Sequence, residues 1–320
     1  MVNYLNQKVY IILVNYCEYE STIRCVSSIL ESNYPYFDIL IVDNNSPNES
    51  YNALYEHFSK KPLIKHVLPE NYQINESYNN LVIINSNKNL GFAGGCNVAT
   101  RLVTKSENKN GYIWYLNNDT IVSKNTLKSF FDVCTTNRRT IYGSTLIASN
   151  TNKVQCYGGG SINGFFGYQK LVGMGDVYEP IKYNDQFQKR VNRNLNYISG
   201  ASLFLNVELV SKFGMMREDF FLYWEETDFC YHLQKKGVKL EWVPQSIVYH
   251  EIGKSTDLTS PMTDYFSTRN SIIFFKEHYP RTFVMTIFSN LILKILNRFK
   301  RKQFHRINLV IKAIIDAITY

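Results

Sequence analysis

Four short apolar runs constrain this chain more than any other feature. VYIILVNY (9 to 16), FDILIV (37 to 42), LVIINS (81 to 86) and YIWYLN (112 to 117) are of strand length and almost unbroken. A strand with one wet face alternates apolar and polar side chains, so continuous runs of this kind predict parallel strands covered on both faces. Between the first two runs, Ser21 is placed to cap a helix in which Ile23, Val26, Ile29 and Leu30 share one face, ending before Tyr34-Pro35. After the third, Val98, Ala99, Leu102 and Val103 repeat at the same spacing. Strand, helix and strand in alternation predict an α/β fold, a right-handed and mainly parallel central sheet flanked by helices, with ligands bound beyond the carboxyl ends of the strands.

The second half changes in character. A Gly-rich stretch, residues 157 to 175, reads as loop-rich and leads through a polar segment to YISGASLFL (197 to 205). In FFLYWEETDFCYHLQKKG, Phe229 and Leu233 fit one helical face and Gly237 fits a helix stop, after which VKLEWVP and SIVYH read as two further strands. Residues 1 to about 280 are expected to form one domain.

Charge separates the last forty residues from the rest. The chain carries a net +8, and residues 281–320 hold eight Lys or Arg against the single acid Asp316. The remaining 280 residues are therefore near neutral, which argues against a nucleic-acid-binding body. In the tail, Phe283, Val284, Ile287, Phe288, Leu291, Ile295 and Leu296 form a wide apolar face, interrupted by Ser289, Asn290 and Lys294 and followed by Lys300, Arg301 and Lys302. The stretch is too short and too interrupted to span a bilayer. It fits a helix lying on an anionic membrane, or one packed on the body or on a second subunit. Six cysteines without paired spacing read as reduced thiols of a cytosolic protein, and the first residues lack a signal-peptide pattern.

The segments that follow the strands carry the candidate chemistry. Asp43, after the second run, either accepts from a ligand or closes a turn with Asn44. NLGFAGGCN (89 to 97) is a glycine-containing turn into a helix, able to bring backbone N–H groups to an anion or simply to pack tightly on the sheet. Asn117, Asn118 and Asp119 end the fourth strand; they offer hard oxygen ligands to Mg2+ or Mn2+, or a helix cap. Glu225, Glu226 and Asp228 lie among aromatics, where a carboxyl can have a raised pKa suited to a general base, and they also fit the acidic first turn of a helix. His250, closing the last predicted strand, would supply a second metal ligand if it faced Asp119.

In this order, VNY (14 to 16), VDNNS (42 to 46), NLGFAGGCN, NND (117 to 119), SGA (199 to 201), FFLYWEETD (220 to 228) and VYH (248 to 250) resemble the family 2 glycosyltransferases of GT-A fold, with most likeness to their bacterial rhamnosyltransferase-like branch. The resemblance covers about residues 8 to 280. It implies a nucleotide-sugar site formed by Val14, Asn15, Tyr16, Asp43, Asn89, Gly91, Phe92, Gly94, Gly95, Asn97, Asn117, Asn118, Gly200 and Trp224. Asp119 and His250 are implied as ligands of Mg2+ or Mn2+, and Glu226 as catalytic base with Glu225 in reserve. Asn117 stands where a full DxD motif has its first acid, and Glu226 where the branch has Asp. The implied reaction is inverting and non-processive transfer, with dTDP-L-rhamnose the first donor to consider and UDP-galactofuranose or UDP-GlcNAc the alternatives. The acceptor would be a lipid-linked glycan in O-antigen or polysaccharide biosynthesis, met at the inner face of the bacterial plasma membrane by a peripheral, tail-anchored enzyme that binds no nucleic acid. A noncatalytic GT-A module and a nucleotidyltransferase are the competing readings.

Overall fold

In a computed structural model, the described residues are 7–61, 65–67, 72, 79–105, 111–134, 138–251 and 260–320. The amino-terminal half runs β1 (Val9–Asn15), α1 (Tyr19–Leu30), β2 (Phe37–Asp43), α2 (Ser50–Ser59), β3 (Lys65–Val67), β4 (Asn80–Asn85), α3 (Gly91–Thr104), β5 (Tyr112–Asn117), β6 (Thr120–Val122) and α4 (Thr126–Cys134). The next segment runs β7 (Thr140–Ala148), β8 (Val154–Tyr157), β9 (Gly159–Asn163), β10 (Tyr168–Leu171), α5 (Asp185–Arg193), β11 (Tyr197–Ile198), β12 (Ser202–Asn206) and α6 (Val207–Phe213). It closes with α7 (Glu225–Lys235), β13 (Lys239–His250), α8 (Pro261–His278), α9 (Phe283–Lys300) and α10 (Ile307–Thr319).

The sheet order is β3-β4-β2-β1-β5-β12-β7-β13-β6, with β8 added on β7. From β3 to β5 all neighbours are parallel, as the four runs predicted, and β12 is inserted antiparallel between β5 and β7. Side chains of β1 alternate between two cores. Tyr10 and Ile12 meet α3 through Ala93, Cys96, Ala99 and Val103, whereas Val9, Ile11 and Leu13 meet α1, α2 and α4. Coverage on both faces accounts for the absence of alternation in the sequence.

Four local expectations change. Helix α1 begins at Tyr19 and takes no side-chain cap, and Ser21 lies inside it. The stretch from 157 to 175 is not chiefly loop, because β9 pairs with β10 and β11 in a second, antiparallel sheet. A Cβ on Gly159 or Gly160 would strike Tyr197 of β11, so the glycines permit close strand approach. VKLEWVP and SIVYH form one strand, β13, whose register on β7 shifts between Val243 and Ile247; Pro244 falls within that irregularity, where no ladder N–H is needed. Finally, the segment from Gly91 to Gly95 is not a turn ahead of α3 but its first turns.

The last three helices share a core with the segment that precedes α7. Phe220 and Trp224 are buried with Ile272, Ile273, Phe274 and Phe275 of α8 and with Val310, Ile314 and Ala317 of α10. Of the apolar face expected on the tail, Phe283, Ile287 and Leu291 pack against this cluster, while Val284, Phe288 and Leu296 are exposed. Among the described residues, no helix is long and apolar enough to cross a membrane. All six cysteines are free.

Candidate active site

The ends of β1, β2 and β5 converge on one polar network. Asp43 is buried and accepts from Asn15 Nδ2 at 2.7 Å, Ser46 N at 3.0 Å and Ser46 Oγ at 2.7 Å, so it closes a turn. Asn15 Oδ1 accepts from Thr22 Oγ1 at 2.8 Å, and Asn118 Nδ2 donates to that hydroxyl at 2.9 Å. Tyr16 stands exposed at the rim, and Val14 packs against Gly95. Asn44 clamps the start of α3: its Nδ2 donates to Asn89 Oδ1 at 3.0 Å and Gly91 O at 2.9 Å, while its Oδ1 accepts from Leu90 N at 3.0 Å.

Gly91 has φ +69°, and a Cβ there would overlap the Phe221 carbonyl, which accepts from Phe92 N at 2.8 Å. Glycine is therefore required where α3 meets the segment preceding α7. Gly94 packs against Leu90 within the same turn. Asn97 is buried and turned toward another partner, donating to Met216 O at 2.7 Å and Glu218 Oε1 at 3.0 Å.

Asp119 and His250 come together as the sequence anticipated. His250 Nε2 lies 3.2 Å from Asp119 Oδ1 and 3.3 Å from Asn117 Nδ2. The other ring nitrogen, Nδ1, lies 2.8 Å from Gln155 Oε1, an acceptor, so Nδ1 carries the proton and donates. Nε2 is then the ring nitrogen that faces Asp119 Oδ1. A carboxylate oxygen and an imidazole nitrogen, the latter oriented by an amide, are a fitting donor pair for Mn2+ or Mg2+. Asp119 does not cap α4, which begins at Thr126.

Glu225 and Glu226 open α7, yet their surroundings differ. Glu225 is 4% exposed, its Oε2 has no hydrogen-bond partner among the described residues, and burial, followed by the charge of Glu226, pushes its carboxyl far upward. Both effects disfavour its ionised form. Glu226 is half-buried beside Gly200 and Phe92, and burial raises it to about 7, opposed by the backbone N–H groups of the first helical turn. Gly200 precedes Ala201, whose carbonyl accepts from Asn117 N at 3.2 Å, so Glu226 stands beside the strand end that carries Asp119.

The backbone before α7 is strained, with φ of +62°, +67° and +74° at Phe221, Tyr223 and Trp224. Asn270 of α8 holds it: one Nδ2 lies within 2.9 Å of the carbonyls of Phe220, Leu222 and Tyr223. Trp224 points into the core against Phe274 and Phe275, away from the polar network. Asp228 accepts from His278 Nε2 at 2.8 Å and so ties α7 to α8. Asp228, Glu277 and His278 have their ligand atoms close together, but Arg217, 2.6 Å from Glu277, already supplies positive charge there. Thr22, Gln155 and Asn270 were not anticipated, nor was the clamp that Asn44 makes on α3. Asn44 had a signal, its place in VDNNS; the others act from distant segments that carry no motif.

The raised Glu226 carboxyl sets a pH dependence. If its ionised form is the reactive one, turnover should rise with pH up to about 7 and level off above it, as read from kcat against pH. Folding stability should move the other way. From the ordinary 4.5 to about 7 the native state binds more protons at this site than the unfolded chain, so the Glu226 contribution falls as pH rises through that window.

The fold and this polar edge define an α/β domain whose strand ends carry a carboxylate–imidazole pair on one side and a raised carboxyl on the other. Residues 10–214 match the glycosyl transferase family 2, and the chain belongs to that family. A curated relative, the low-salt glycan biosynthesis hexosyltransferase Agl10 of Haloferax volcanii, is 21% identical over 232 residues, 70% of this chain and 69% of that protein. The fold is similar to that of GalNAc-T7, solved with UDP, GalNAc and Mn2+ (TM-score 0.61, 15% identity, 86% of this chain). The present chain spans 48% of GalNAc-T7. It is similar also to the mannosyltransferase PcManGT of Pyrobaculum calidifontis, solved with GDP-Man and Mn2+ (TM-score 0.58, 11% identity, 98% of this chain and 87% of that one).

Proposed function

We propose that the chain catalyses inverting, non-processive transfer of one sugar from a nucleotide sugar to a hydroxyl of a lipid-linked glycan. The observation that carries this reading is the placement of Glu226 beside Gly200, next to the end of β5, beyond which Asp119 meets His250 from the end of β13 at 3.2 Å. Glu226 takes the proton of the acceptor hydroxyl as its oxygen attacks the anomeric carbon. The bond from that carbon to the diphosphate breaks on the opposite face, and the configuration inverts. A divalent cation, Mg2+ or Mn2+, held by Asp119 and His250, would neutralise the departing diphosphate.

The reading assigns the nucleotide to the edge where the ends of β1 and β2 meet the start of α3, with Tyr16 exposed beside it. Family resemblance favours dTDP-L-rhamnose as donor, with UDP-galactofuranose and UDP-GlcNAc next. The basic tail would rest on the anionic inner face of a bacterial plasma membrane, bringing the enzyme to its acceptor during O-antigen or related polysaccharide assembly.

Calorimetric titration with dTDP and with UDP tests the nucleotide site. Binding that tightens at least about tenfold when Mn2+ is added is expected; no binding of either nucleotide, with or without the ion, would overturn the assignment.

A further inference from the structure

The hairpin joining β9 to β10 ends in two exposed aromatic rings. Phe165 and Phe166 are 56% and 49% exposed and meet edge to face with centroids 4.9 Å apart, and Tyr168 follows them into solvent. Their turn is well made: Asn163 Oδ1 accepts from Phe165 N at 3.1 Å and Phe166 N at 2.9 Å, and Gly167 N donates to Asn163 O at 2.9 Å. It is also fastened to the start of α9. A Cβ on Gly164 would run into the Tyr279 ring and one on Gly167 into Thr286, while Thr282 Oγ1 donates to Gly164 O.

From that junction α9 exposes Val284, Met285, Phe288, Ile292, Leu293, Leu296 and Phe299, spaced so that they recur on successive turns. Exposed cations bracket the helix, Arg281 before it and Lys300, Arg301 and Lys302 at and beyond its end. An 18-residue helix is about 27 Å long. An apolar face of that length with basic ends suits the boundary between headgroups and acyl chains of an anionic bilayer.

We propose that the Phe165–Phe166 tip is a second membrane insertion point, forming one bilayer-seated surface with the exposed face of α9. The proposal rests on the membrane reading of the tail given above and extends it to a segment far away in sequence. Charge selects the occupant, because a second copy of the chain would bring the same cations and only Asp316 as an acid in this segment. The hairpin also reaches the catalytic helix: Gln169 of β10 accepts from Thr227 Oγ1, next to Glu226, at 3.1 Å. The tip therefore stands three residues from a direct contact with α7, and a seated tip would present the Glu226 side of the cleft to acceptors held in the bilayer.

The test is flotation of the full chain with phosphatidylglycerol/phosphatidylcholine vesicles and with phosphatidylcholine alone. The wild type should float with the anionic vesicles, and a Phe165→Ser/Phe166→Ser variant should bind them about tenfold more weakly or worse, with circular dichroism and nucleotide binding unchanged. A Phe288→Ser/Leu293→Ser variant reports on α9 separately. If the hairpin variant binds like wild type while the α9 variant does not, the tip proposal is overturned and the tail reading stands. If the wild type binds no vesicle, both fall. If the hairpin variant instead dissolves a dimer seen by light scattering, and lipid binding is absent, a second copy is the occupant and the proposal is overturned.

Discussion

Glu226→Gln should lower kcat by about a thousandfold, the usual contribution of a positioned general base, while nucleotide binding stays within about twofold. Glutamine keeps the shape of the side chain and removes the site that takes the proton. The neighbouring acid should not replace it, because Glu225 is almost fully buried, and burial together with the charge of Glu226 disfavours its ionised form. Glu225→Gln therefore should retain most of the turnover, and the contrast between two adjacent carboxyls is the informative result. Steady-state assays of both variants, with nucleotide affinity measured alongside, would check it. Equal losses would mean that the two act as one unit; an active Glu226→Gln enzyme would remove Glu226 from the role of base.

The second large effect is expected at Asp119. Asp119→Ala should reduce kcat/KM by about a hundredfold or more, in the range lost when one stabiliser of developing charge is removed. Nucleoside diphosphate binding should lose its dependence on Mn2+ at the same time. His250→Ala should act in the same direction. Gln155→Ala, which only frees the imidazole that Gln155 orients at 2.8 Å, should cost about tenfold. The concentration of Mn2+ giving half-maximal rate checks this, rising in His250→Ala and Gln155→Ala if the pair holds the ion. Full activity of Asp119→Ala in the presence of chelator would contradict a metal at this site.

The parallel half of the sheet was legible because burial on both faces erases polar alternation, and the four runs are of strand length with helical patterns between them. The pairing of Asp119 with His250 was legible too, from two strands that end at the same edge. Less was visible where long-range contacts override local preference. The glycines at 91, 94 and 95 look like a loop by helix propensity, yet α3 begins there because Gly91 must pass the Phe221 carbonyl and Gly95 must meet Val14. Pro244 suggests a break between two strands, and the irregular pairing with β7 absorbs it. The distinction between Glu225 and Glu226 lies in the register of α7, which turns one carboxyl into the core and the other toward Gly200. No motif marks Asn270, although it holds the strained backbone on which that register depends.

The α8 helix also explains why the tail bears on the segment that leads into α7. Phe220 and Trp224 on one side, and α8 with α10 on the other, form a single apolar cluster. Tyr320 at the last position donates to Asp219 Oδ2 at 2.6 Å, and Arg217 links Asp219, Glu277 and Asp228. The start of α7, which carries the proposed base Glu226, is thus supported from the carboxyl-terminal helices as well as from the sheet.

Release of nucleoside diphosphate from a panel comprising dTDP-L-rhamnose, UDP-galactofuranose and UDP-GlcNAc, followed with Mn2+ and after chelation, tests glycosyl transfer by this site most directly. Mn2+-dependent release from one donor, abolished in Glu226→Gln without loss of nucleotide binding, is the predicted result. Release that persists unchanged in that variant, or none from any donor by a wild-type chain that binds the nucleotide, would contradict transfer through Glu226.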